Sequence, residues 1–273
     1  MLSVIIVSFN ARQDLVRCLE SLHDPAPATP HEIIVVDNAS SDDSAQAARR
    51  WTDLQVIESG RNLGFARGTN VGIRASRGAL LLLLNSDTIV PPGALDRLVD
   101  EIERDSRVAV VGPRLVDRAG RPELSFGPMI GPFNELCQKL LVRGHAARAP
   151  LLSALVERMT SRARDTDWVS GACLIVRRTD AEAVGLLDER YFMYAEDVDF
   201  CAAIRARGGR IHFAPSVTVV HARGRSAAGA RAATDAAYRR SQLAFYEKHH
   251  PRWVPLLRWY LRVRGAAIPD SDT

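Results

Sequence analysis

The chain has 273 residues, of which 47% are hydrophobic and 25% are charged. This composition is typical of a folded globular protein, and the length allows one large domain or two small ones. The 36 Lys and Arg residues exceed the 32 Asp and Glu residues only slightly, so net charge indicates little about partners. Arginines dominate after residue 200, which suits either an anionic surface of phosphates or lipid headgroups or a simple solvated surface.

The sequence shows no pattern typical of a signal peptide or a membrane-spanning segment. The N-terminus has no basic segment and turns polar after nine residues, which predicts a first strand rather than a signal peptide. No apolar run approaches the ~20 residues that span a bilayer. The four cysteines form no C-x-x-C pair and are expected to be buried thiols in a reducing compartment. We therefore expect a cytoplasmic protein whose contact with a membrane, if any, is peripheral and on the inner face.

Apolar runs and helical patterns alternate in the first third of the chain. The runs predict strands at residues 2–8, 32–36, 54–57 and 79–84. They are continuous rather than alternating, which is typical of strands buried on both faces of a parallel sheet. The pattern predicts an α/β fold with right-handed crossovers, in which ligands bind at the carboxyl ends of the strands.

The rest of the chain departs from this alternation. Helical patterns are predicted over 91–104, 179–185 and 229–264, strands over 108–111, 168–177, 210–214 and 217–220, and a hairpin or irregular segment over 114–126. Residues 127–165 mix apolar and basic side chains and predict an inserted helical lid.

Polar side chains follow three predicted strands directly. They are Ser8 and Asn10, then Asp37 and Asn38, then Asn85, Ser86 and Asp87. The last group offers two oxygen donors at spacing i, i+2, which suits a hard divalent cation with positions left for phosphate oxygens. The same tripeptide forms Asx turns, so both interpretations stay open.

Two further segments suit a nucleotide. The carboxylate of Asp37 can accept a hydrogen bond from a ring N–H such as pyrimidine N3, while Ser41 or Asp42 can cap the next helix. Arg61, Asn62 and Gly64 precede a helix, where an arginine and close backbone approach fit a phosphate or ribose. Glycine near a helix start is common, so this signal is weak alone.

Candidate acid–base groups lie in the second half. Glu196, Asp197 and Asp199 follow an aromatic stretch, and apolar neighbours can raise a carboxylate pKa toward that of a general base. The alternative is that carboxylates in a first helical turn only favour the helix dipole. His221 ends a predicted strand, where it can be structural or complete a metal site beside Asp87.

Taken together, these segments resemble a family 2 glycosyltransferase with the GT-A fold, in particular its bacterial rhamnosyltransferase-like branch. The motifs that carry the resemblance, in the family's order, are VIIVSFNA (4–11), EIIVVDNASSDDS (32–44), RNLGFARGTNVGI (61–73), LLLLNSDTIV (81–90), WVSGACLIVRR (168–178), YFMYAEDVDFCAAIRARG (191–208) and HARGRS (221–226). The fold implied is a Rossmann-like, mainly parallel sheet flanked by helices. The implied units are a catalytic domain over 1–226 (nucleotide-sugar half about 1–112, helical insert 127–165, acceptor and catalytic half 166–226) and a helical basic extension over 227–273.

The resemblance also implies residue roles. Nucleotide-sugar contacts are implied for Ser8, Asn10, Asp37, Asn38, Arg61, Asn62, Gly64, Asn85, Ser86 and Asp87. Asp87 matches the last aspartate of the family's D-x-D motif, and Asn85 departs from it by supplying a neutral oxygen. Mg²⁺ or Mn²⁺ would be held by Asp87, Asn85 and His221. Asp197, with Glu196 beside it, resembles the catalytic base, and the acceptor side is implied for Trp168, Ser170, Gly171 and Asp199.

The reaction implied is a single inverting displacement, with dTDP-L-rhamnose as the expected donor and UDP-sugars as the runner-up. The acceptor would be a glycan or a polyprenyl-linked saccharide, and no nucleic-acid partner is expected. The C-terminal segment RWVPLLRWYLRVRG (252–265) can rest on a membrane through Trp253, Trp259 and Tyr260, pack on the core, or contact a second copy in a homodimer. A non-catalytic glycan-binding scaffold would lack the acidic residues, and a dinucleotide-dependent oxidoreductase would need G-x-G-x-x-G where FNARQD stands.

Overall fold

The computed structural model describes residues 1–222 and 231–263. The strands are β1 (Leu2–Ser8), β2 (His31–Asp37), β3 (Leu54–Glu58), β4 (Leu80–Asn85), β5 (Thr88–Ile89), β6 (Val108–Val116), β7 (Phe126–Gly127), β8 (Arg164–Thr166), β9 (Trp168–Val169), β10 (Cys173–Arg177) and β11 (Arg210–His221). The α-helices are α1 (Arg12–His23), α2 (Ser44–Ala48), α3 (Gly64–Ala75), α4 (Ala94–Glu103), α5 (Pro132–Ala146), α6 (Pro150–Thr160), α7 (Arg178–Ala183), α8 (Glu196–Ala206), α9 (Arg231–His249) and α10 (Val254–Val263).

A central sheet in the order β3-β2-β1-β4-β10-β6-β11-β5 organises the fold. The first four of these strands are parallel, while β10 runs antiparallel to both β4 and β6. The α/β prediction with a sheet flanked by helices is therefore confirmed, and the antiparallel strands lie in the second half. Register places Ser8 opposite Asp37 and Val7 opposite Asn85, so the carboxyl ends of three strands share one edge.

The five leucines of β4 are buried in the middle of this sheet. Leu82 and Leu84 pack with α1 and α4 on one face, and Leu81 and Leu83 pack with α3 and α8 on the other. Burying both faces explains why this strand is apolar at every position instead of alternating. It also holds Asn85, the next residue, at a fixed place on the sheet edge.

Some predicted boundaries in the second half were wrong. The strand expected to end at residue 111 continues to Val116, and the two strands expected after residue 210 form the single strand β11, with a register shift between Ala214 and Thr218. The strand expected over 168–177 is two strands, because the chain turns at residues 170–172. At that turn the backbone N–H of Gly171 donates to Asp197.

The insert and the C-terminal helices pack together on one side of the sheet. The insert forms the antiparallel pair α5 and α6, and Glu135 of α5 accepts hydrogen bonds from Tyr238 and Tyr246 of α9. Helix α10 buries Leu257 and Leu261 against the core. Among residues 1–222 and 231–263, no helix is long and apolar enough to cross a membrane.

Candidate active site

Ser8 and Asp37 form a buried polar pocket where β1 and β2 end side by side. Asp37 Oδ2 accepts the backbone N–H of Ser40 at 2.9 Å. Its Oδ1 and the Ser8 hydroxyl have no hydrogen-bond partner in the described part of the chain. An unpaired buried polar atom costs about 1–3 kcal/mol, so this pair is suited to a ligand that brings its own hydrogen-bonding groups.

The loop after β2 is held in place by Asn10. The Asn10 backbone N–H donates to Ser40 Oγ at 3.0 Å, and Asn10 Oδ1 accepts the N–H of Ser41 at 2.8 Å. Asp42 Oδ1 accepts the N–H of Ser44 at 3.2 Å. The N-cap residue of α2 is Asp43, whose side chain makes no capping hydrogen bond, so neither Ser41 nor Asp42 is the helix cap. Oδ1 of Asp37 remains available to a ligand.

Asn38 connects the pocket to the segment before α3. Its Nδ2 donates to the Gly64 carbonyl at 2.9 Å, and Asn62 Oδ1 accepts the N–H of Gly64 at 3.0 Å. The N–H of Phe65 donates to the Phe192 carbonyl at 2.6 Å. Gly64 has a φ of +79°. A side chain at Gly64 would overlap that carbonyl. Arg61 is exposed at the edge of this segment.

His221 meets the end of β4 because β11 pairs with β5, with His221 opposite Thr88. Its Nε2 lies 3.3 Å from Asp87 Oδ1 and 3.4 Å from Asn85 Nδ2. Its Nδ1 lies 3.1 Å from Glu123 Oε2. Burial opposes charge on His221, but the hydrogen bonds to Asp87 and Glu123 outweigh it and raise the pKa of His221 to about 9. Ser86, between Asn85 and Asp87, is buried.

The donor set around His221 fits a divalent cation only in part. Within the described ranges, His, Cys, Asp and Glu side chains form no group of three that could hold a metal. Asp87, His221 and the neutral amide of Asn85 converge as one carboxylate, one imidazole and one amide oxygen, since the amide can be turned about its last torsion. Such a set suits Mg²⁺ or Mn²⁺ when oxygens from a diphosphate complete the coordination.

Asp197 and Glu196 begin α8 and differ in their surroundings. Asp197 is partly exposed and accepts two backbone N–H groups, from Gly171 and Val198, each at 2.8 Å. Glu196 is buried, and its Oε2 has no partner in the described chain. Burial, then repulsion by Asp197, raises the pKa of Glu196 well above its ordinary value; burial also raises the pKa of Asp197, against the two N–H bonds. Burial therefore favours the protonated form more strongly at Glu196 than at Asp197, whose carboxylate is held by backbone N–H groups.

Backbone strain precedes this pair. Tyr194 and Ala195 both have positive φ angles, 73° and 66°, which non-glycine residues seldom adopt. Gly171 leaves the space that α8 needs, since a Cβ there would lie 3.3 Å from that of Asp197. Strained residues of this kind persist where surrounding contacts over-determine them, often at active sites.

The other acceptor-side candidates are engaged in structural contacts. Asp199 is buried and accepts hydrogen bonds from Tyr191 Oη at 3.2 Å and Lys248 Nζ at 2.8 Å, and pairs with His249 Nε2 at 2.6 Å. Trp168 donates its indole N–H to the Pro128 carbonyl at 3.0 Å. Ser170 receives the N–H of Ala172 at 3.3 Å and borders an open cleft.

Two residues near the site were not found by sequence reasoning. Glu123, which orients His221, lies in a segment expected to be irregular, and nothing in its spacing connects it to a residue 98 positions later. Ser125 is buried, and its hydroxyl has no hydrogen-bond partner within residues 1–222 and 231–263. Arg223 and Arg225 of the HARGRS motif lie outside the described residues.

Comparison with known proteins completes the assignment. The family model described as "Glycosyl transferase family 2" matches residues 3–149, more than half of the chain, and that described as "Glycosyl transferase family group 2" matches residues 80–267. The chain belongs to glycosyltransferase family 2. This confirms the predicted family and makes the protein a glycosyltransferase.

Its relatives include rhamnosyltransferases. It is 32% identical to the N-acetylglucosaminyl-diphospho-decaprenol L-rhamnosyltransferase of Mycobacterium tuberculosis over 96% of this chain and 89% of that protein. It is 25% identical to the rhamnosyltransferase WbbL of Escherichia coli, over 81% of this chain and 83% of that protein.

Solved structures agree in fold. A mannosyltransferase from Pyrobaculum calidifontis, in complex with GDP-Man and Mn²⁺, superposes with a TM-score of 0.63 at 20% identity, over 94% of this chain and 68% of that one. TarS of S. aureus, in complex with UDP-GlcNAc, gives a TM-score of 0.58 at 18% identity, over 82% and 58% of the two chains.

Proposed function

We propose that this glycosyltransferase transfers L-rhamnose from dTDP-L-rhamnose, with inversion, to a hydroxyl of a lipid-linked or glycan acceptor in cell-envelope polysaccharide biosynthesis. The observation that carries the proposal is the pair at the start of α8, in which the backbone N–H groups of Gly171 and Val198 hold a partly exposed Asp197 beside the buried Glu196. A carboxylate base suits a single displacement, because in that mechanism the acceptor oxygen attacks the sugar directly and only has to lose its proton.

Asp197 takes the proton from the acceptor hydroxyl in this mechanism. The N–H groups of Gly171 and Val198 fix its carboxylate, so its orientation toward the acceptor is set before substrate arrives. The acceptor oxygen then forms a bond to the anomeric carbon as the bond from that carbon to the diphosphate breaks. The sugar carbon is attacked from the face opposite the leaving group, and the anomeric configuration inverts.

The nucleotide is held at the edge where β1, β2 and β4 end. Asp37 Oδ1 accepts the N3–H of a thymine or uracil base, and Ser8 contributes its unpaired hydroxyl. Asp87, Asn85 and His221 would hold a Mg²⁺ or Mn²⁺ ion beside the diphosphate. When bound, such an ion stabilises the negative charge of the leaving group. Two of the solved neighbours contain Mn²⁺, which supports the use of a divalent metal.

UDP-sugars are the alternative donors. Uracil offers the same N3–H as thymine, so the Asp37 pocket accepts both bases, and TarS was solved with UDP-GlcNAc. Rhamnose ranks first because the relatives named as rhamnosyltransferases match over 96% and 81% of this chain. The non-catalytic glycan-binding scaffold is set aside, because the chain belongs to glycosyltransferase family 2.

Helix α10 supports peripheral membrane contact. Leu257 and Leu261 face the core, while Leu256 and Trp259 are 51% and 60% exposed and Trp253 is 46% exposed. Exposed tryptophans beside arginines suit the interface of an anionic bilayer. A Leu256→Ser/Trp259→Ser variant should sediment less with anionic vesicles than wild type; equal sedimentation would leave a core-packing or homodimer role for this helix.

A donor screen tests the proposed function. Binding of dTDP, UDP and GDP would be measured by thermal shift with Mg²⁺, Mn²⁺ or EDTA, followed by transfer from the matching nucleotide sugars to an N-acetylglucosaminyl-diphospho-lipid. We expect metal-dependent stabilisation by dTDP and UDP and transfer from dTDP-rhamnose. Transfer from a UDP-sugar alone would select the alternative donor, and no transfer with any donor would contradict the proposal.

A further inference from the structure

A cleft of about 820 Å³ lies between the 117–125 segment, α5 and α9. Two residues of its wall adjoin the site described above. Glu123 borders the cleft and contacts His221, and Ser170, also on its wall, adjoins the Gly171 that binds Asp197. A molecule in this cleft would therefore lie next to both the base and the diphosphate region.

In the described part of the chain, the wall of the cleft contains an unpaired hydroxyl group, that of Ser125. This residue is part of the cleft wall and is 5% exposed, and its buried Oγ has no partner among the residues described. Buried hydroxyls are nearly always paired, so an unpaired one facing a cavity indicates a missing partner. Hydroxyl-rich ligands such as saccharides supply such partners.

The cationic side chains on the wall are not equivalent. Arg118 pairs with Asp14, Arg121 with Asp117, and Lys139 with Glu135. Arg143 of α5 also lines the cleft, yet no hydrogen bond or ion pair of its side chain exists within the described ranges. It is the arginine left to bind an anion, and a guanidinium suits the oxygens of a phosphate or diphosphate.

Helix α5 also offers apolar surface next to this wall. Its cleft face includes Lys139, Val142 and Arg143, while Phe133, Leu136 and Leu140 are 75%, 55% and 56% exposed. Those three recur at helical spacing i, i+3, i+7, which places them on a strip beside the cleft face. A ligand bound here can leave the cleft over an apolar strip.

We propose that this cleft is the acceptor site, in which Ser125 binds the saccharide and Arg143 binds the diphosphate of a lipid-linked saccharide. The inference rests on the proposed function, and it adds the residues that would distinguish a diphosphate-linked acceptor from a neutral glycoside. The apolar strip of α5, formed by Phe133, Leu136 and Leu140, covers the first part of the lipid.

Two acceptors with the same sugar, one with a diphosphate and one without, separate the role of Ser125 from that of Arg143. One is N-acetylglucosaminyl-diphospho-farnesol, and the other is the uncharged octyl N-acetylglucosaminide. Arg143→Gln should raise KM for the first about 10-fold or more, the loss expected for a charged hydrogen bond, and leave KM for the second unchanged. Ser125→Ala should raise KM for both severalfold without lowering the melting temperature, because its hydroxyl has no partner to lose.

Arg158→Gln is the matched control, because Arg158 is an exposed arginine of α6 away from the cleft. It should behave as wild type with both acceptors. The affinity for dTDP with Mn²⁺ should be the same in all three variants. Equal effects of Arg143→Gln on both acceptors, or none on either, would overturn the proposal.

Direct binding separates this inference from the proposed function. A fluorescent N-acetylglucosaminyl-diphospho-lipid would be titrated into the whole protein in the presence of dTDP, with no transfer needed. Binding that weakens about 10-fold in Arg143→Gln supports the cleft even if the donor assignment fails. Binding that is unchanged in both Arg143→Gln and Ser125→Ala refutes the cleft even if wild type catalyses transfer.

Discussion

Nδ1 of His221 lies 3.1 Å from Oε2 of Glu123, across 98 positions of sequence. With Nδ1 engaged by Glu123, Nε2 is directed to Asp87 and Asn85. When an imidazole binds metal through one nitrogen, a carboxylate bound to its other nitrogen fixes the orientation of the ring and raises its basicity. Glu123 therefore prepares His221 for the ion proposed beside the diphosphate.

Glu123→Gln tests this arrangement. The change keeps the shape of the side chain but removes its charge, and we expect Mn²⁺ affinity in the presence of dTDP to fall about 10- to 100-fold, as is usual for residues that support a metal ligand. Calorimetric titration of Mn²⁺ measures it. The exposed Glu103, changed to Gln, is the control, and equal Mn²⁺ affinity in both variants would remove Glu123 from the metal site.

Asp37→Asn tests the base pocket. The remaining amide oxygen can still accept the N–H of Ser40, so the new NH₂ group faces the position of a base N3–H. Two donors then oppose each other, and affinity for dTDP and UDP should fall about 10-fold or more. Affinity for inorganic pyrophosphate with Mn²⁺ should not change. A parallel loss for pyrophosphate would show that the variant damages the whole site.

Gly64→Ala should destabilise the protein by about 2 kcal/mol or more. The residue has a φ of +79°, and its Cβ would overlap the Phe192 carbonyl. Gly60→Ala is the matched control, because Gly60 has a φ of +70° and a Cβ added there would meet no atom within 4 Å. Urea unfolding should show a larger loss at Gly64 than at Gly60. Equal losses would mean that the Phe192 contact costs nothing.

The sequence predicted the first half of the fold well because local pattern and tertiary environment agree there. The continuous apolar run at residues 79–84 carries one clear signal, and the predicted strand lies within a residue of β4 (Leu80–Asn85) at each end. Predictions failed where pairing depends on distant partners. At the turn of residues 170–172, Gly171 lies against Asp197 at the start of α8, and no local pattern encodes that contact.

The candidate site divides in the same way. Asp37, Asp87 and Asp197 follow strands or begin a helix in recognisable motifs, so the sequence could single them out. Glu123 acts through a side chain contact between β11 and the segment after β6, which is visible only in three dimensions. The pKa shifts of Glu196 and Asp197 also depend on burial and, for Asp197, on the N–H of Gly171.

Asp199→Asn tests the attachment of α9 to the catalytic helix. Burial would raise the pKa of Asp199, but hydrogen bonds with His249 and Lys248 outweigh it and lower that pKa. The native pKa is thus below that of the unfolded chain, about 3.9. Ionised Asp199 therefore stabilises the fold above about pH 4, and this contribution is lost as pH falls through the native pKa.

The variant should accordingly lose about 3 kcal/mol of unfolding free energy near neutral pH, the scale for breaking a buried pair. Its deficit relative to wild type should shrink below about pH 4. Guanidinium unfolding at several pH values measures both. Asp100→Asn, at an exposed position of α4, should track wild type throughout, and a deficit for Asp199→Asn that does not change with pH would contradict the ionic role.

The most direct test of the account is the Asp197→Asn variant in transfer from dTDP-rhamnose to a lipid-linked acceptor. Asparagine retains an oxygen for the Gly171 N–H but cannot take a proton. We predict that kcat falls about 1,000-fold, within the range of general-base contributions, while the affinity for dTDP with Mn²⁺ stays within about twofold of wild type. Turnover near the wild-type rate with normal dTDP affinity would contradict the assignment of Asp197 as the base.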